Sequence, residues 1–108
     1  MAYRVMLCMH FGLAARREMK KDGSDKILSG VNKLFSKWND EGVKLIGSFG
    51  NAGHTPGGFA HHAIFEIDSV DIVGKMDSDF MSADWNHAVE SFELHLGSER
   101  DFIDKHFG

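Results

Sequence analysis

Two adjacent histidines, His61 and His62, stand in the stretch GGFAHHAIFEID immediately before an apolar run. Imidazoles titrate near neutral pH, act as general acids or bases, and bind zinc, copper, nickel or haem iron. The pair therefore points either to metal binding or to proton transfer. If the segment is a β-strand, successive side chains face opposite sides, and both can reach one ion only through a bulge. We therefore expect the two histidines to have separate roles.

The pattern around this pair predicts which face each imidazole occupies. His61 shares its face with Phe65 in the more apolar set, which we expect to lie under the helices. His62 shares its face with Ile64 and Glu66, which we expect to meet a partner sheet. The sequence thus predicts a buried, helix-side environment for His61 and an interface environment for His62.

Helical spacing defines the elements that cover one side of this strand. Apolar residues recur from Ile27 to Trp38, with Ser24 as the N-cap and Gly42 as the end of the helix. Residues 11–23 fit either a short helix or a long loop. A second helix is capped by Asp68 or Ser69 and is expected over the apolar positions Ile72, Val73, Met76 and Phe80.

Strand patterns complete the fold. Strands are predicted at residues 3–10, 42–50, 60–67 and 89–97, and Val43, Leu45 and Phe49 are expected to share one face of the second. With the helices this gives the α+β, ferredoxin-like βαββαβ order and a four-stranded antiparallel sheet. Right-handed crossovers place the first strand between the third and the fourth, antiparallel to both. A tail helix containing Phe102 and Ile103 is expected after Ser98.

This topology gathers histidines that are scattered in sequence. His10 closes the first strand, His61 and His62 open the third, and His87 precedes the fourth, while His54 lies in the hairpin loop. All five are predicted at one end of the sheet. The catalytic set expected from this placement is His10, His61 and His87. A bound metal would be held among His10, His54, His61, His62 and His87, unless the histidines are exposed or interface residues without a ligand.

Composition limits the classes of protein that fit. The 108 residues, 43% of them hydrophobic, suit one domain over residues 1–108. No stretch approaches the roughly 20 apolar residues of a membrane span, and the N-terminus lacks a signal-peptide pattern. A single cysteine, Cys8, fits a reducing cytoplasm and is expected to be an inert, buried thiol. The net charge of −4 and the absence of a long basic run disfavour nucleic-acid binding.

The uncovered sheet face predicts self-association. The helices can cover only one face, so the other would expose Ile46 and Ile64, together with either Met6 and Cys8 or Val5 and Leu7. Soluble monomers rarely expose an apolar patch of that size. We therefore expect a homodimer in which two sheets pack face to face.

A family resemblance accompanies these patterns. The segments EGVKLIGSFGNAG and DWNHAVESFELHLGSER, with the strand between them, resemble the dimeric α/β-barrel superfamily over roughly residues 24–100. The similarity is strongest to its short uncharacterised members, related to antibiotic-biosynthesis-type monooxygenases. The superfamily includes cofactor-free quinol monooxygenases, muconolactone-isomerase-like enzymes, polyketide cyclases, haem-degrading enzymes and stress-response proteins. The resemblance implies a dimeric barrel but selects no reaction, because one fold hosts many functions.

The leading hypothesis is a small cytoplasmic homodimeric enzyme that acts on a compact apolar organic molecule. His61, with His10 or His87, would move a proton in an oxygenase, isomerase or cyclase step. The resemblance favours a cofactor-independent, monooxygenase-like or isomerase-like activity. The substrate pocket is expected between sheet and helices, although both tryptophans also suit the core; its predicted lining is Trp38, Phe65, Met76 and Phe92.

Two further hypotheses stay open at this point. The same histidines could bind a metal ion or haem, since imidazole is a ligand for both. Alternatively, the protein could be a non-catalytic ligand-binding or stress-response dimer in which the histidines have no chemical role.

Overall fold

The computed structural model describes residues 3–23, 25–50 and 59–98. Within these ranges the order of elements is β1 (Tyr3–Phe11), α1 (Leu13–Asp22), α2 (Asp25–Asp40), β2 (Lys44–Gly50), β3 (Phe59–Ile67), α3 (Ile72–Met81), a 3₁₀ turn (Asn86–Ala88) and β4 (Val89–Ser98). The strands form one antiparallel sheet in the order β2-β3-β1-β4. The predicted α+β, ferredoxin-like fold is confirmed. No helix of these ranges is long and apolar enough to cross a membrane.

Strand β1 lies at the centre of the sheet because it is apolar on both faces. It pairs antiparallel with β3 and with β4, as the crossover rule predicts. Val5, Leu7 and Met9 are fully buried on the face under the helices. Met6 is half-buried on the opposite, open face, so of the two alternatives it is Met6 and Cys8 that face away from the helices.

The helix α2 packs its predicted apolar stripe on the sheet. Its buried residues are Ile27, Val31, Leu34, Phe35 and Trp38, and the chain leaves the helix at Gly42 with a φ of +91°. Phe35 and Trp38 meet Phe65 edge to face, with ring centroids 5.1 Å and 5.4 Å apart. Such pairs are favourable beyond their buried area. The α2 interface is therefore an aromatic cluster centred on Phe65.

The ambiguous segment 11–23 contains a helix. Leu13–Asp22 forms α1, which ends at Gly23 with a φ of +82°. Ala15 is its buried residue, and Lys20 and Lys21 lie in its last turn, where cations interact favourably with the helix dipole. This helix brings additional polar side chains, including Glu18, to the helix side of the molecule.

Strand β2 contains a bulge that changes the face predicted for Phe49. Leu45 pairs with Phe65, but Gly47 pairs with Ile64, so Ile46 is an extra residue that forms a bulge. Beyond the bulge the alternation is inverted, and Phe49 pairs with His62. The expectation that Leu45 and Phe49 share a face is therefore wrong, and Phe49 lies on the open face.

A polar cluster joins α2 to α3. The indole Nε1 of Trp38 donates a hydrogen bond to Asp79 at 3.0 Å, and Asp79 also pairs with Lys75 at 3.0 Å and Lys37 at 3.2 Å. Lys75 in turn pairs with Glu41. Partial burial by itself raises the pKa of Asp79, but the hydrogen bonds from Lys75, Trp38 and Lys37 outweigh it and hold the pKa below its ordinary value.

The predicted N-cap Ser24, the hairpin loop with His54 and the tail helix lie outside the described residues.

Candidate functional site

The register assigns the two adjacent histidines to opposite faces of the sheet. His61 pairs with Met9 of β1, whose side chain is fully buried under the helices. His62 pairs with Cys8 on the open face. No bulge intervenes between the two in β3, so they cannot bind one ion together.

His61 is held as a neutral imidazole. It is half-buried on the helix side and forms no hydrogen bond with another described residue. Burial lowers the pKa of His61, and repulsion from the adjacent His62 adds to this effect. On β2 its partner is Gly50, which has no side chain. The imidazole is therefore deprotonated at neutral pH and flanked by bare backbone on one side.

His62 lies in a row of side chains that crosses the open face. Its ring stacks on Phe49, with centroids 4.8 Å apart and an interplanar angle of 13°. The Nδ1 atom of His62 is buried and has no hydrogen-bond partner in the described part of the chain. Cys8 and Glu93 continue the row across β1 and β4. Burial, together with the nearby charge of Glu93, raises the pKa of the Cys8 thiol, which supports its predicted inertness.

His10 and His87 do not meet at His61. His10 lies on the open face at the end of β1, where its Nδ1 atom is 3.4 Å from the Ser91 hydroxyl oxygen. It is one residue past Met9 and so faces away from His61. His87 instead contacts α1. Of the three predicted catalytic histidines, His61 alone occupies the half-buried helix-side position.

His87 forms a charged pair with the first helix. Its Nε2 atom is 3.0 Å from a carboxylate oxygen of Glu18, and its Nδ1 atom is 3.0 Å from the backbone oxygen of Asp84. Both partners are acceptors, so both ring nitrogens must carry protons when these bonds form together. The bond to Glu18, followed by that to Asp84, raises the pKa of His87. The sequence could not predict this pair, because it left residues 11–23 without a defined element.

The residues predicted to line a pocket are instead packed together in the core. Trp38, Phe65 and Met76 are at most 1% exposed. Phe92 is partly buried, and its ring stacks on Phe80 with centroids 4.0 Å apart. These contacts explain how the sheet and helices are held together. Trp38, Phe65 and Met76 are therefore core residues in this structure, and Phe92 is the one of the four whose side chain is partly exposed.

A groove of about 720 Å³ lies on the outer side of the helical layer. It runs between α2, the end of α3 and the segment leading to β4, and the Glu18–His87 pair forms part of its wall. Its floor is apolar, and Trp85 packs against the backbone of Gly30 there. A Cβ atom at Gly30 would lie 2.2 Å from Cδ1 of Trp85, so this close approach requires glycine. Volumes of this size are typical of small-molecule sites.

Metal binding finds no support in the described ranges. No three histidine, cysteine, aspartate or glutamate side chains there are arranged to hold an ion. His10, His61 and His62 are divided between two faces, and His87 is engaged by Glu18. His54, the remaining residue of the predicted ligand set, lies outside the described residues.

Comparison with known proteins assigns neither a family nor a function to this chain. No family model matches this chain. No curated protein is significantly similar to it. The function must therefore be argued from the geometry of the fold and from the side chains that it positions.

Proposed function

We propose that this protein is a homodimeric enzyme that moves a proton on a small, largely apolar organic molecule, with His61 as the general base. The observation that carries the proposal is the half-buried, neutral imidazole of His61, which has no hydrogen-bond partner among the described residues. A base must have a free lone pair in reach of the proton that it removes. Among the histidines with a described environment, His61 fits that requirement best.

The chemistry follows from the state of this ring. A neutral imidazole accepts a proton from an acidic C–H or O–H group, becomes imidazolium and leaves the substrate as an enolate or phenolate. The same ring can return the proton at a later step. Isomerase, cyclase and cofactor-independent oxygenase reactions can all begin in this way. A lowered pKa keeps the ring deprotonated at neutral pH, at the cost of some basicity.

The surroundings of His61 favour a compact, apolar substrate. The neighbouring residue on β1 is the buried Met9, and the neighbouring residue on β2 is Gly50, which contributes no side chain. An apolar substrate would extend the desolvation that already lowers the pKa of His61. The substrate class therefore follows from the same environment that keeps the base neutral.

Dimer formation is supported by the open face of the sheet. On this face Phe49 is 54% exposed, and the half-buried Met6 and Ile64 lie between the two outer strands. A second copy of the same face would cover these side chains by twofold symmetry, which is the commonest arrangement of homodimers. The proposed base lies on the other face, so dimer formation would leave it accessible.

Proton removal can be tested without knowing the complete reaction. The protein is incubated in D₂O with enolisable ketones and 1,3-dicarbonyl compounds, and NMR follows exchange of their C–H protons. Oxygen uptake with substituted hydroquinones tests the oxygenase variant of the proposal. We expect His61→Gln to lower the rate by roughly 10²- to 10⁴-fold. The control is Lys20→Gln, because Lys20 is an exposed residue in the last turn of α1, on the helical side and away from the open sheet face.

The outcomes separate catalysis from ligand binding alone. Retention of turnover in a folded His61→Gln variant would overturn the role of His61. Saturable binding of a panel compound without exchange or oxygen uptake would favour the non-catalytic ligand-binding dimer. Circular dichroism and thermal unfolding of both variants establish that the comparison is between folded proteins.

A further inference from the structure

We propose that α1 is a pH-sensitive strap, fastened to the 3₁₀ turn before β4 by the doubly protonated ring of His87. Loss of one proton from this ring then loosens the helix. The strap joins elements that are distant in sequence, since Glu18 and His87 are 69 residues apart. The proposal goes beyond the role of His61, which lies on β3, because it concerns how the helical layer is held together.

Helix α1 depends on tertiary contacts for its stability. It has 10 residues, and isolated helices shorter than roughly 12–15 residues are marginal in water. Its N-cap, Gly12, provides no side-chain hydrogen bond, and its first turn has no acidic residue to interact with the helix dipole. Ala15 is buried, whereas Glu18 and Met19 are half-buried and the other residues of the helix are exposed. A helix with so few buried apolar contacts is typical of segments that open locally.

Hydrogen bonds at the start of α1 and in its second half join it to the 3₁₀ turn. The backbone N–H of Gly12 donates to the backbone oxygen of Ala88 at 3.3 Å, where the chain enters the helix. Further along the helix, a carboxylate oxygen of Glu18 lies 3.0 Å from Nε2 of His87. The bond between backbone groups does not titrate. The contact between Glu18 and His87 is therefore the one through which pH can act on the helix.

The two partners of His87 determine how many protons its ring must carry. Nε2 faces the carboxylate of Glu18, and Nδ1 is 3.0 Å from the backbone oxygen of Asp84. Both partners are acceptors, so a neutral ring, which has one N–H group, can donate to only one of them. A neutral ring that keeps the bond to Asp84 loses the bond to Glu18, and one that keeps the bond to Glu18 loses its charge assistance. Deprotonation therefore weakens the attachment of α1 in either tautomer.

The charged groups around this ring determine the direction of the response. The hydrogen bond to Glu18 of α1, followed by that to the backbone oxygen of Asp84, raises the pKa of His87, and the charge of Lys26 on α2 opposes them. Carboxylates and lysines keep their charges between about pH 5.5 and about pH 8.5, so His87 is the member of this set that titrates. The fastening is complete below about pH 6.5 and is lost as pH rises through the raised pKa of His87.

Amide hydrogen exchange of the intact chain tests the strap. The quantity to measure is the protection factor of α1 amides divided by that of α3 amides, because this ratio removes changes common to the whole protein, including those from other histidines. We expect the ratio to fall roughly two- to fivefold between about pH 5.5 and about pH 8.5, since exposed ion pairs have small effects. The midpoint of the fall should coincide with the NMR titration midpoint of His87.

Matched variants separate the strap from general stability. His87→Gln and Glu18→Gln should each abolish the pH dependence of the ratio, because a glutamine does not titrate and an amide at position 18 can bond to either form of His87. The control, Asp22→Asn, changes an exposed carboxylate of the same helix to its amide and should keep the wild-type response. The proposal is overturned if the wild-type ratio does not change with pH, or if His87→Gln and Glu18→Gln respond as the control does.

Discussion

The pKa values of His61 and His87 are shifted in opposite directions, because one ring is partly buried and the other is bonded to acceptors. Burial lowers the pKa of His61, with a further contribution from His62, whereas Glu18 and the backbone oxygen of Asp84 raise that of His87. NMR titration should therefore give a midpoint below about 6.5 for His61 and above it for His87. His61→Gln and His87→Gln assign the signals. Coincident midpoints would contradict both environments.

These shifts determine how each residue affects stability as pH changes. His61 binds protons more weakly when folded, so the unfolded state takes up more of them and stability falls as pH drops below about 6.5. His87 binds protons more tightly when folded, so its contribution is complete below about 6.5 and is lost as pH rises through its raised pKa. Unfolding of wild type and both variants across pH 4–9 measures these opposite slopes.

At the residue scale, strand alternation predicts which face a side chain occupies, but it does not predict packing density or long-range pairs. It placed His61 and His62 on opposite faces, because a period of two does not depend on distant contacts. It could not show that Trp38, Phe65 and Met76 fill the core completely, since periodicity gives a face and no packing density. Nor could it pair Glu18 with His87, which are 69 residues apart in sequence.

At the scale of elements, the contact between α2 and the segment before β4 is possible because Gly30 has no side chain. A Cβ atom on Gly30 would lie 2.2 Å from Trp85, whereas one on Gly74 of α3 has nothing within 4 Å. Gly30→Ala should therefore destabilise the protein by about 1–3 kcal/mol through overpacking, despite the better helix propensity of alanine. Gly74→Ala should stabilise it by roughly 0.5–1 kcal/mol.

Chemical denaturation of the two variants measures this difference directly. Both changes add the same methyl group inside a helix, so propensity is matched and the contact with Trp85 is what differs. The near-ultraviolet circular dichroism of Trp85 should change in Gly30→Ala alone. A stabilised Gly30→Ala variant would mean that the helix and the indole are not in close contact.

The elements differ in how much of them the sequence determines. The helix α2 has five apolar positions at one spacing and a terminal glycine, and its extent follows from those local features. The bulge at Ile46 has no such signature, because an extra residue is recognised only from the pairing of β2 with β3. One inserted position was enough to move Phe49 from the expected face to the other.

At the scale of the whole molecule, the bulge at Ile46 places the aromatic ring of Phe49 on the open face of the sheet. Phe49 stacks on His62, and the half-buried Met6 and Ile64 lie on the two central strands of this face. A covering sheet would desolvate the face and could supply a partner for the Nδ1 atom of His62, which is buried without one in the described ranges. These features support the proposal that a second copy of the chain covers this face.

The final prediction tests whether a second copy covers this face. Phe49→Asp should weaken the dimer by about a hundredfold or more, because an unpaired carboxylate would be buried between the sheets. The control is Leu28→Asp, which places the same charge at a residue that is 48% exposed on the helical side. Sedimentation at micromolar concentration should give twice the chain mass for wild type and Leu28→Asp, and the single chain mass for Phe49→Asp. A wild-type monomer, or equal effects of the two substitutions, would show that the open sheet face is not the dimer interface.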